Sequence, residues 1–429
     1  MHVPPDHVIS TQATAVLAVL QQAIDHVQQG RPVDSFLQQL YRRHREYGSR
    51  DRRLYSNLVY SFFRWKGWTD LAPALPLAAR AAAAYRLDFP ESHPALDKLA
   101  PLDAPVQQAA TLAGKAEQVA SWLGLPTPPP AAALVPADAL PLLARPSLPD
   151  GQDPDALLFE AFQTRPPAWI RIRPEAEADM TVLCGNLHLT PVPHPLLPGA
   201  WRVDDVTRLA DLLARAGGRV DIQDIASQAT GLVAAPAAGS SWWDVCAGSA
   251  GKSLQLADMT KGRIKILATD IREGILTEAQ RRLDKAGRTG SIKLKQLDVT
   301  QDLPPAESFD GVLVDAPCSG TGTWARNPDA RWRWKAETVA EQSRLQENLL
   351  DRAAGCVKPG GVLIYSTCSL TTAENTDRVA LFLKSHADFS LAPFMNPLTG
   401  EPCSGQTYFW PWDGPGSGFF IARLVRAAP

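Results

Sequence analysis

Cys318 and Cys368 lie 50 positions apart, each in a short turn rich in small and hydroxylic residues. The first turn reads Asp315-Ala316-Pro317-Cys318-Ser319-Gly320-Thr321-Gly322, the second Tyr365-Ser366-Thr367-Cys368-Ser369. Each follows an apolar run, Gly311-Val312-Leu313-Val314 or Gly361-Val362-Leu363-Ile364, of the kind that forms a buried parallel strand. Residues just past the carboxyl ends of such strands face the binding crevice of an open α/β sheet. Two thiols and the Asp315 carboxylate would then meet in one cleft. That set suits covalent catalysis at an electrophilic carbon. One such cysteine is most simply a small buried residue. Two in matching turns favour chemistry. Cys246 also follows a strand, and packing is its default role. Cys184, Cys356 and Cys403 have no such context.

A second set of residues suits a nucleoside ligand. The first strand of the region ends in Asp244-Val245-Cys246-Ala247-Gly248-Ser249-Ala250-Gly251-Lys252. Small residues between a strand and a helix let a ligand approach the backbone. The spacing is not that of a phosphate-binding P-loop. Asp270 ends the next strand and suits ribose hydroxyls. Asp298 ends the third and can accept from an adenine amino group. Each acid alone is more often a helix cap. Three acids at successive strand ends, Asp315 included, point to a ligand with ribose and adenine but no phosphate. S-adenosylmethionine fits, with Cys246, Ala247, Gly248, Gly251, Lys252, Asp270, Asp298 and Asp315 as its candidate contacts. The thiols complete a chemistry. A thiolate adding to carbon 6 of cytosine makes carbon 5 nucleophilic towards a methyl sulfonium. An acid must favour protonation at N3, and Asp315 is placed for that. The base must be unstacked to expose its face. Either thiol could attack while the other assists release.

The elements that position these groups alternate. Strands are expected at 241–246, 263–269, 292–297, 311–315, 361–366 and 418–424, with helices at 251–260, 272–286, 337–357 and 372–385. That order implies an α/β fold with a mostly parallel, doubly wound sheet over residues 236–429. Residues 156–235 read as a small α/β module, with a strand at Trp169-Ile170-Arg171-Ile172-Arg173 that puts its arginines on one face. Residues 126–155, with Pro128-Pro129-Pro130, read as a proline-rich linker. Residues 1–125 read as an all-helical domain, with apolar stripes such as Leu54, Leu58, Val59 and Phe62.

At 429 residues, two or three domains are expected. The net charge of −2 excludes a surface that is basic throughout, so nucleic-acid contact must come from local patches. Arg42, Arg43, Arg45, Arg50, Arg52 and Arg53 form one such patch. A solvated helix face is the plain reading of a charge run; six arginines without a lysine suit phosphate forks. Arg42, Arg43, Arg50, Arg171, Arg173 and Arg326 are the candidate RNA contacts. In Arg331-Trp332-Arg333-Trp334, aromatics interleave with cations as in stacking platforms for unpaired bases, or they pack, Trp332 above all. The six cysteines have neither C-x-x-C nor zinc-finger spacing, so no metal and no disulfide framework is expected, and free thiols suit a reducing compartment. No signal segment is apparent, and residues 71–85, the most apolar stretch, are broken by Pro73, Pro76 and Arg80. A cytoplasmic monomer without membrane contact is expected.

The motifs carry a resemblance. Asp315 to Gly322, Arg326-Asn327-Pro328-Asp329, Lys358-Pro359-Gly360-Gly361, and Tyr-Ser-Thr-Cys-Ser with Glu374-Asn375 together resemble the Sun/Nop family of RNA cytosine-5 methyltransferases. Val220-Asp221-Ile222-Gln223-Asp224-Ile225-Ala226-Ser227 and Gly418-Phe419-Phe420-Ile421-Ala422-Arg423-Leu424 extend it over about residues 165–425. The segment Ser49-Arg50-Asp51-Arg52-Arg53-Leu54 resembles the NusB-type RNA-binding domain of that family's 16S rRNA methyltransferase B branch. The resemblance implies a Rossmann-like S-adenosylmethionine methyltransferase sheet, a small α+β module and a NusB-like helical domain, acting on carbon 5 of a cytosine in small-subunit rRNA. It implies Cys368 as the attacking cysteine, Cys318 as the one that helps release product, Asp315 as the acid and Lys252 as a neighbour of the pair. The family's cofactor loop usually reads Cys-Ala-Ala-Pro-Gly-Gly-Lys. Here it reads Cys246-Ala247-Gly248-Ser249-Ala250-Gly251-Lys252, and a positive φ at 250 would strain alanine by about 1 kcal/mol. Two rival readings stay open: a non-catalytic RNA-binding or ribosome-assembly factor with an altered cofactor loop, and a DNA cytosine-5 methyltransferase in which Cys318 attacks.

Overall fold

The computed structural model describes residues 5–91, 93–102, 109–148 and 151–428. The chain forms two compact units, Met1–Arg165 with Thr323–Ala336, and Pro166–Gly322 with Glu337–Pro429. No helix among the described residues is long and apolar enough to cross a membrane.

The first unit is helical. It contains α1 (Asp6–Gln28), α2 (Val33–Arg43), α3 (Ser49–Thr69), α4 (Leu77–Asp88), α5 (Pro94–Leu99), α6 (Leu112–Leu123) and α7 (Pro154–Gln163). Helix α1 starts after Pro5 and buries Val16, Val19, Leu20, Ala23 and Val27, one stripe at three- and four-residue steps. Helix α3 buries residues on a much wider arc, from Leu54 to Trp68, because helices pack on several of its sides. The proline-rich stretch differs from the expected linker: Leu134, Val135, Ala139 and Leu143 are buried. Trp68 Nε1 donates to Pro130 O (2.9 Å), and a Cβ on Gly67 would lie 1.8 Å from Ala133 O, so only glycine admits that approach. Pro149 and Asp150 of the expected linker lie outside the described residues. Helix α7, expected in the middle module, also joins this unit, through Phe162 against Trp324.

The second unit begins with strands β1 (Ala168–Ile172), β2 (Val192–Pro193), β3 (Ala200–Val203) and β4 (Val220–Ile222), in the order β2-β3-β1-β4 and all antiparallel. Helices α8 (Glu177–Asn186) and α9 (Leu209–Arg215) cover one face, with Ile170, Ile172, Met180, Trp201 and Leu212 as its core. Helix α10 (Ile225–Ala234) leads to the large sheet.

That sheet contains β5 (Ser241–Asp244), β6 (Lys265–Asp270), β7 (Ile292–Gln296), β8 (Phe309–Asp315), β9 (Val357–Thr367), β10 (Phe389–Leu391), β13 (Gln406–Phe409) and β14 (Phe419–Arg426); β11 (Phe394–Met395) and β12 (Pro402–Cys403) pair separately. The order is β10-β14-β9-β8-β5-β6-β7, with β13 on β14. Strands β5 to β9 run parallel, and β14 is antiparallel to β9, with Tyr365 opposite Ala422. Helices α11 (Gly251–Met259) and α12 (Glu273–Ala286) pack with α10 on one face, over Trp242, Ile266, Leu313 and Ile364. Helices α14 (Ala336–Ala354) and α15 (Thr376–Ser385) cover the other, over Trp243, Val312, Val314 and Tyr365. Strands buried on both faces read as continuous apolar runs, which is why they were visible in the sequence. The strand order reverses between β5 and β8, and there the crevice opens.

The segment 323–336, with the short helix α13 (Ala330–Arg333), belongs to the helical unit. The fully buried Arg331 donates to the carbonyls of Leu134 (2.9 Å), Phe162 (2.8 Å) and Trp324 (3.2 Å). Trp332 Nε1 donates to Phe63 O (2.6 Å), Arg333 pairs with Asp329, and Trp334 meets Trp324 edge-on. The cation–aromatic alternation here is packing, the second of the two readings the sequence left open.

Candidate active site

Strand β5 delivers the loop 245–250 and then Gly251 and Lys252 at the start of α11. Gly248 (φ +54°) and Ala250 (φ +59°) both adopt the left-handed conformation, so the departure from the usual loop places alanine where strain was expected. Four hydrogen bonds hold the loop in place. Ala247 N–H donates to Thr269 O (2.8 Å), Gly248 N–H to Asp270 Oδ2 (2.9 Å), and the Arg282 guanidinium to both Ser249 O (3.0 Å) and Ser249 Oγ (2.7 Å). Neither Ser249 nor Arg282 was singled out from the sequence; a lone arginine within α12 offers no signal for such a bridge.

Asp270 ends β6 and is buried, and four donors reach its carboxylate. Arg272 supplies its amide and Nε to Oδ1 (2.9 Å each) and a terminal nitrogen to Oδ2 (3.0 Å); Gly248 N–H is the fourth. Burial alone would raise this carboxyl, but the Arg272 and Gly248 hydrogen bonds outweigh it and hold it below the usual range. Asp298 follows β7 and accepts from Thr300 N–H (3.0 Å) and Oγ1 (2.6 Å). Asp315 ends β8: its Oδ2 accepts from Lys252 Nζ (2.6 Å), its Oδ1 from Ser366 Oγ (2.8 Å). Burial works to lower Lys252, yet the charge and hydrogen bond of Asp315 raise it, so the ammonium is firmly protonated. These groups open on a cavity of about 800 Å³ whose lining includes Gly248, Lys252, Asp270, Asp298, Asp315 and Pro317.

Beyond Asp315 the two turns converge. Cys318 Sγ and Cys368 Sγ are 3.1 Å apart. Cys318 is pushed well above the ordinary thiol range, first by its hydrogen bond with Cys368, then by burial and by the charges of Cys368 and Glu374. Burial also raises Cys246, with Asp244, Asp315 and Asp270 adding to it; that thiol is inert and serves as loop wall. Among the described residues no group of His, Cys, Asp and Glu could hold a metal ion.

The candidate cofactor contacts Cys246, Ala247, Gly248, Gly251, Lys252, Asp270, Asp298 and Asp315 all line this one cavity. The candidate RNA arginines divide. Arg42, Arg43 and Arg50 are exposed on the helical unit. Arg326 is half-buried in the segment that folds with that unit. Arg171 and Arg173 are 5% and 4% exposed, which corrects their reading as RNA contacts. Arg171 donates to Asp258 (2.7 Å), Asp221 (3.0 Å) and Gln223 (3.0 Å), and Arg173 to Ala286 O (2.7 Å). Their guanidinium donors are spent on buried carboxylates and a carbonyl.

A doubly wound sheet with a nucleoside-sized cleft at the carboxyl ends of its strands defines a Rossmann-like methyltransferase fold. Residues 231–425 match the family described as 16S rRNA methyltransferase RsmB/F. This is the family to which the sequence motifs pointed. The chain is 32% identical over 271 residues to the ribosomal RNA small subunit methyltransferase B of Salmonella newport (strain SL254), covering 63% of this chain and 62% of that protein. The protein of the same name from Salmonella heidelberg (strain SL476) matches to the same extent. The chain thus spans about 62% of the length of these curated relatives. Among solved structures, PH0851 shares the fold over 99% of both chains, with a TM-score of 0.72 and 22% identity. A methyltransferase homolog protein from Pyrococcus horikoshii matches 63% of this chain and 90% of its own, with a TM-score of 0.54 and 24% identity.

Proposed function

We propose that this protein is an S-adenosylmethionine-dependent RNA methyltransferase that modifies carbon 5 of a cytosine, with small-subunit rRNA as its substrate. The observation that carries the reading is the pair of thiols 3.1 Å apart beside the Lys252–Asp315 ion pair. The family match and the names of the curated relatives support the substrate class.

The cleft fits the cofactor. Its volume suits a nucleoside of that size. Asp270 and Asp298 stand at strand ends as the ribose and adenine groups require. Asp270 is crowded: a carboxylate offers about four lone-pair sites, and four donors are present. The Arg272 side chain is 62% exposed and can swing into water at a cost of about 1 kcal/mol or less, freeing two acceptor positions. S-adenosylmethionine, when bound, supplies an electrophilic methyl group.

The chain's own groups do the rest. Cys368 adds as thiolate to carbon 6 of the flipped cytosine, with the Lys252 ammonium among its charged neighbours. As the carbon–sulfur bond forms, N3 takes a proton relayed from the Lys252 ammonium through Asp315, whose carboxylate Ser366 fixes, and the proton returns by the same pair on release. Carbon 5 then takes the methyl group. Release requires loss of the proton on carbon 5 and cleavage of the carbon–sulfur bond. Cys318 is the base for that step: it gives its own proton to solvent, takes the carbon-5 proton as a thiolate, and the carbon 5–carbon 6 double bond re-forms as Cys368 leaves as thiolate. The strongest influence keeping its proton is Cys368 itself, and that influence disappears once Cys368 is a neutral thioether.

Methyl transfer from labelled S-adenosylmethionine to rRNA transcripts, followed by nucleoside analysis, tests the reading. Label is expected in 5-methylcytidine and lost in Cys368→Ala, while Cys318→Ala is expected to trap a protein–RNA adduct. An adduct that persists in Cys368→Ala and vanishes in Cys318→Ala would sink the assignment and favour the logic in which Cys318 attacks.

A further inference from the structure

Glu374 is fully buried, and among the described residues its carboxylate meets no cation, only neutral donors. Oε1 accepts from Ser319 N–H (2.8 Å) and Gln346 Nε2 (3.1 Å). Oε2 accepts from the hydroxyls of Ser319 (2.5 Å), Ser369 (2.6 Å) and Thr371 (2.7 Å). Ser319 directly follows Cys318, and Ser369 directly follows Cys368. One carboxylate therefore joins the turn of each cysteine to the other. The neighbouring Asn375 reinforces this, taking the Thr367 hydroxyl (2.6 Å) and donating to Ser369 O (2.8 Å).

A buried carboxylate is costly unless its hydrogen bonds are complete, and here they are. If the role were only to tie two turns, a neutral hydrogen-bonding group would do it without the cost of burying a charge. Five polar groups from both turns and Gln346 converge on this one carboxyl group. Its charge acts on Cys318. The positive charge of the site lies elsewhere: the Lys252 ammonium interacts with Cys368. The two thiols thus touch each other but sit in opposite fields.

We propose that Glu374 sets the division of labour between the cysteines: it is a positioning residue that locks their turns together and places an uncompensated negative charge behind Cys318. This rests on the two-cysteine reading of the site. Cys318 is thereby held as the proton-bearing thiol while Cys368 attacks. The titratable groups that act on Cys318 are Cys368, Glu374 and Tyr365, with the Gly320 backbone opposing them. Tyr365 is raised far above its usual range by burial and stays neutral throughout.

Alkylation of Cys318 by iodoacetamide in the full chain tests the inference, with mass spectrometry of its peptide as the readout. Cys368→Ser is the parent, so that Glu374 is the remaining charge on Cys318. Adding Glu374→Gln is expected to speed alkylation at pH 7.5 by about threefold to tenfold, a shift of up to about one unit in the pH profile, with convergence at high pH. Glu374→Asp retains the charge on a shorter arm. It is expected to keep the parent's pH profile while methyl transfer by the otherwise wild-type protein falls at least about tenfold, as a misplaced pair of turns would cause. A Glu374→Gln profile superimposable on the parent's, or displaced by one factor at every pH, overturns the proposal, because greater access alone does that. If the Gln variant does not fold, a Glu374→Asp profile moved to lower pH overturns it. Alkylation needs neither RNA nor cofactor, so this result is independent of whether cytosine methylation itself is observed.

Discussion

Alanine 250 sits in a backbone conformation that costs an L-residue about 1 kcal/mol, yet its methyl group is buried and recovers about 0.8 kcal/mol. The two terms nearly cancel, which explains how the loop tolerates the loss of the usual glycine. Ala250→Gly should therefore change unfolding free energy by less than about 0.5 kcal/mol, since it exchanges strain for burial. Gly248 offers the contrast. A Cβ there would touch nothing within 4 Å, so Gly248→Ala gains no packing and carries the full strain. It should cost about 1 kcal/mol by urea denaturation; equal effects at 248 and 250 would refute the account. Two residues downstream of the ribose acid, Arg272 makes a different kind of prediction. Its guanidinium occupies two of the four acceptor positions on Asp270 and must leave before ribose hydroxyls can bind there. Arg272→Met should tighten S-adenosylmethionine binding by up to about fivefold, the worth of an exposed ion pair that no longer has to be displaced. Calorimetric titration decides it, and weaker binding would mean that Arg272 holds the cofactor instead.

Between β1 and the large sheet, the sequence showed the pattern but not the environment. Alternation correctly put Arg171 and Arg173 on one side of the strand, and period-two reasoning can do no more than that. What that side meets is decided by Asp221 on β4, Asp258 at the end of α11 and Arg282 and Arg288 from the α12 region, all distant in sequence. The same limit applied to the proline-rich stretch, whose weak periodicity concealed the buried Leu134, and to 323–336, whose attachment to the helical unit depends on Arg331 finding three carbonyls. The parallel strands were legible because runs such as Val312-Leu313-Val314 are buried on both faces, and the cleft residues were legible because they stand at the ends of those runs. Glu374 was quoted only as part of a motif, since nothing local shows that it reaches Ser319, 55 positions away. The arginine cluster carries its own consequence. Arg171→Ala should cost about 3 kcal/mol, the low end for a broken buried pair, because Arg288 still holds Asp258. The urea midpoint should fall accordingly, and the salt dependence of RNA binding by the folded variant should not change. A reduced salt slope would restore Arg171 as a phosphate contact.

For the molecule as a whole, a net charge of −2 leaves no general attraction to RNA, so binding must come from where positive charge is concentrated and free. The buried arginines of the sheet unit are spent on carboxylates, whereas Arg42, Arg43 and Arg50 of the helical unit are exposed. Residues 1–165 of the helical unit, which carry these arginines, lie outside the region matched by the family, so their contribution has to be measured rather than inherited. Each arginine that neutralises a phosphate releases counterions, and the logarithm of the binding constant then falls with the logarithm of salt by about 0.7 per contact on single strands and 0.9 on duplex. Replacing Arg42, Arg43 and Arg50 together by glutamine removes up to three such contacts. The slope for binding to rRNA transcripts should become shallower by about 2, a difference well outside experimental scatter. S-adenosylmethionine affinity should be unchanged, because the cleft is built from residues 222–349 of the other unit. Sequence preference should be unchanged as well, since phosphate contacts fix register without reading bases. An unaltered slope would show that these arginines are a solvated helix face, and that RNA is held by the methyltransferase unit alone.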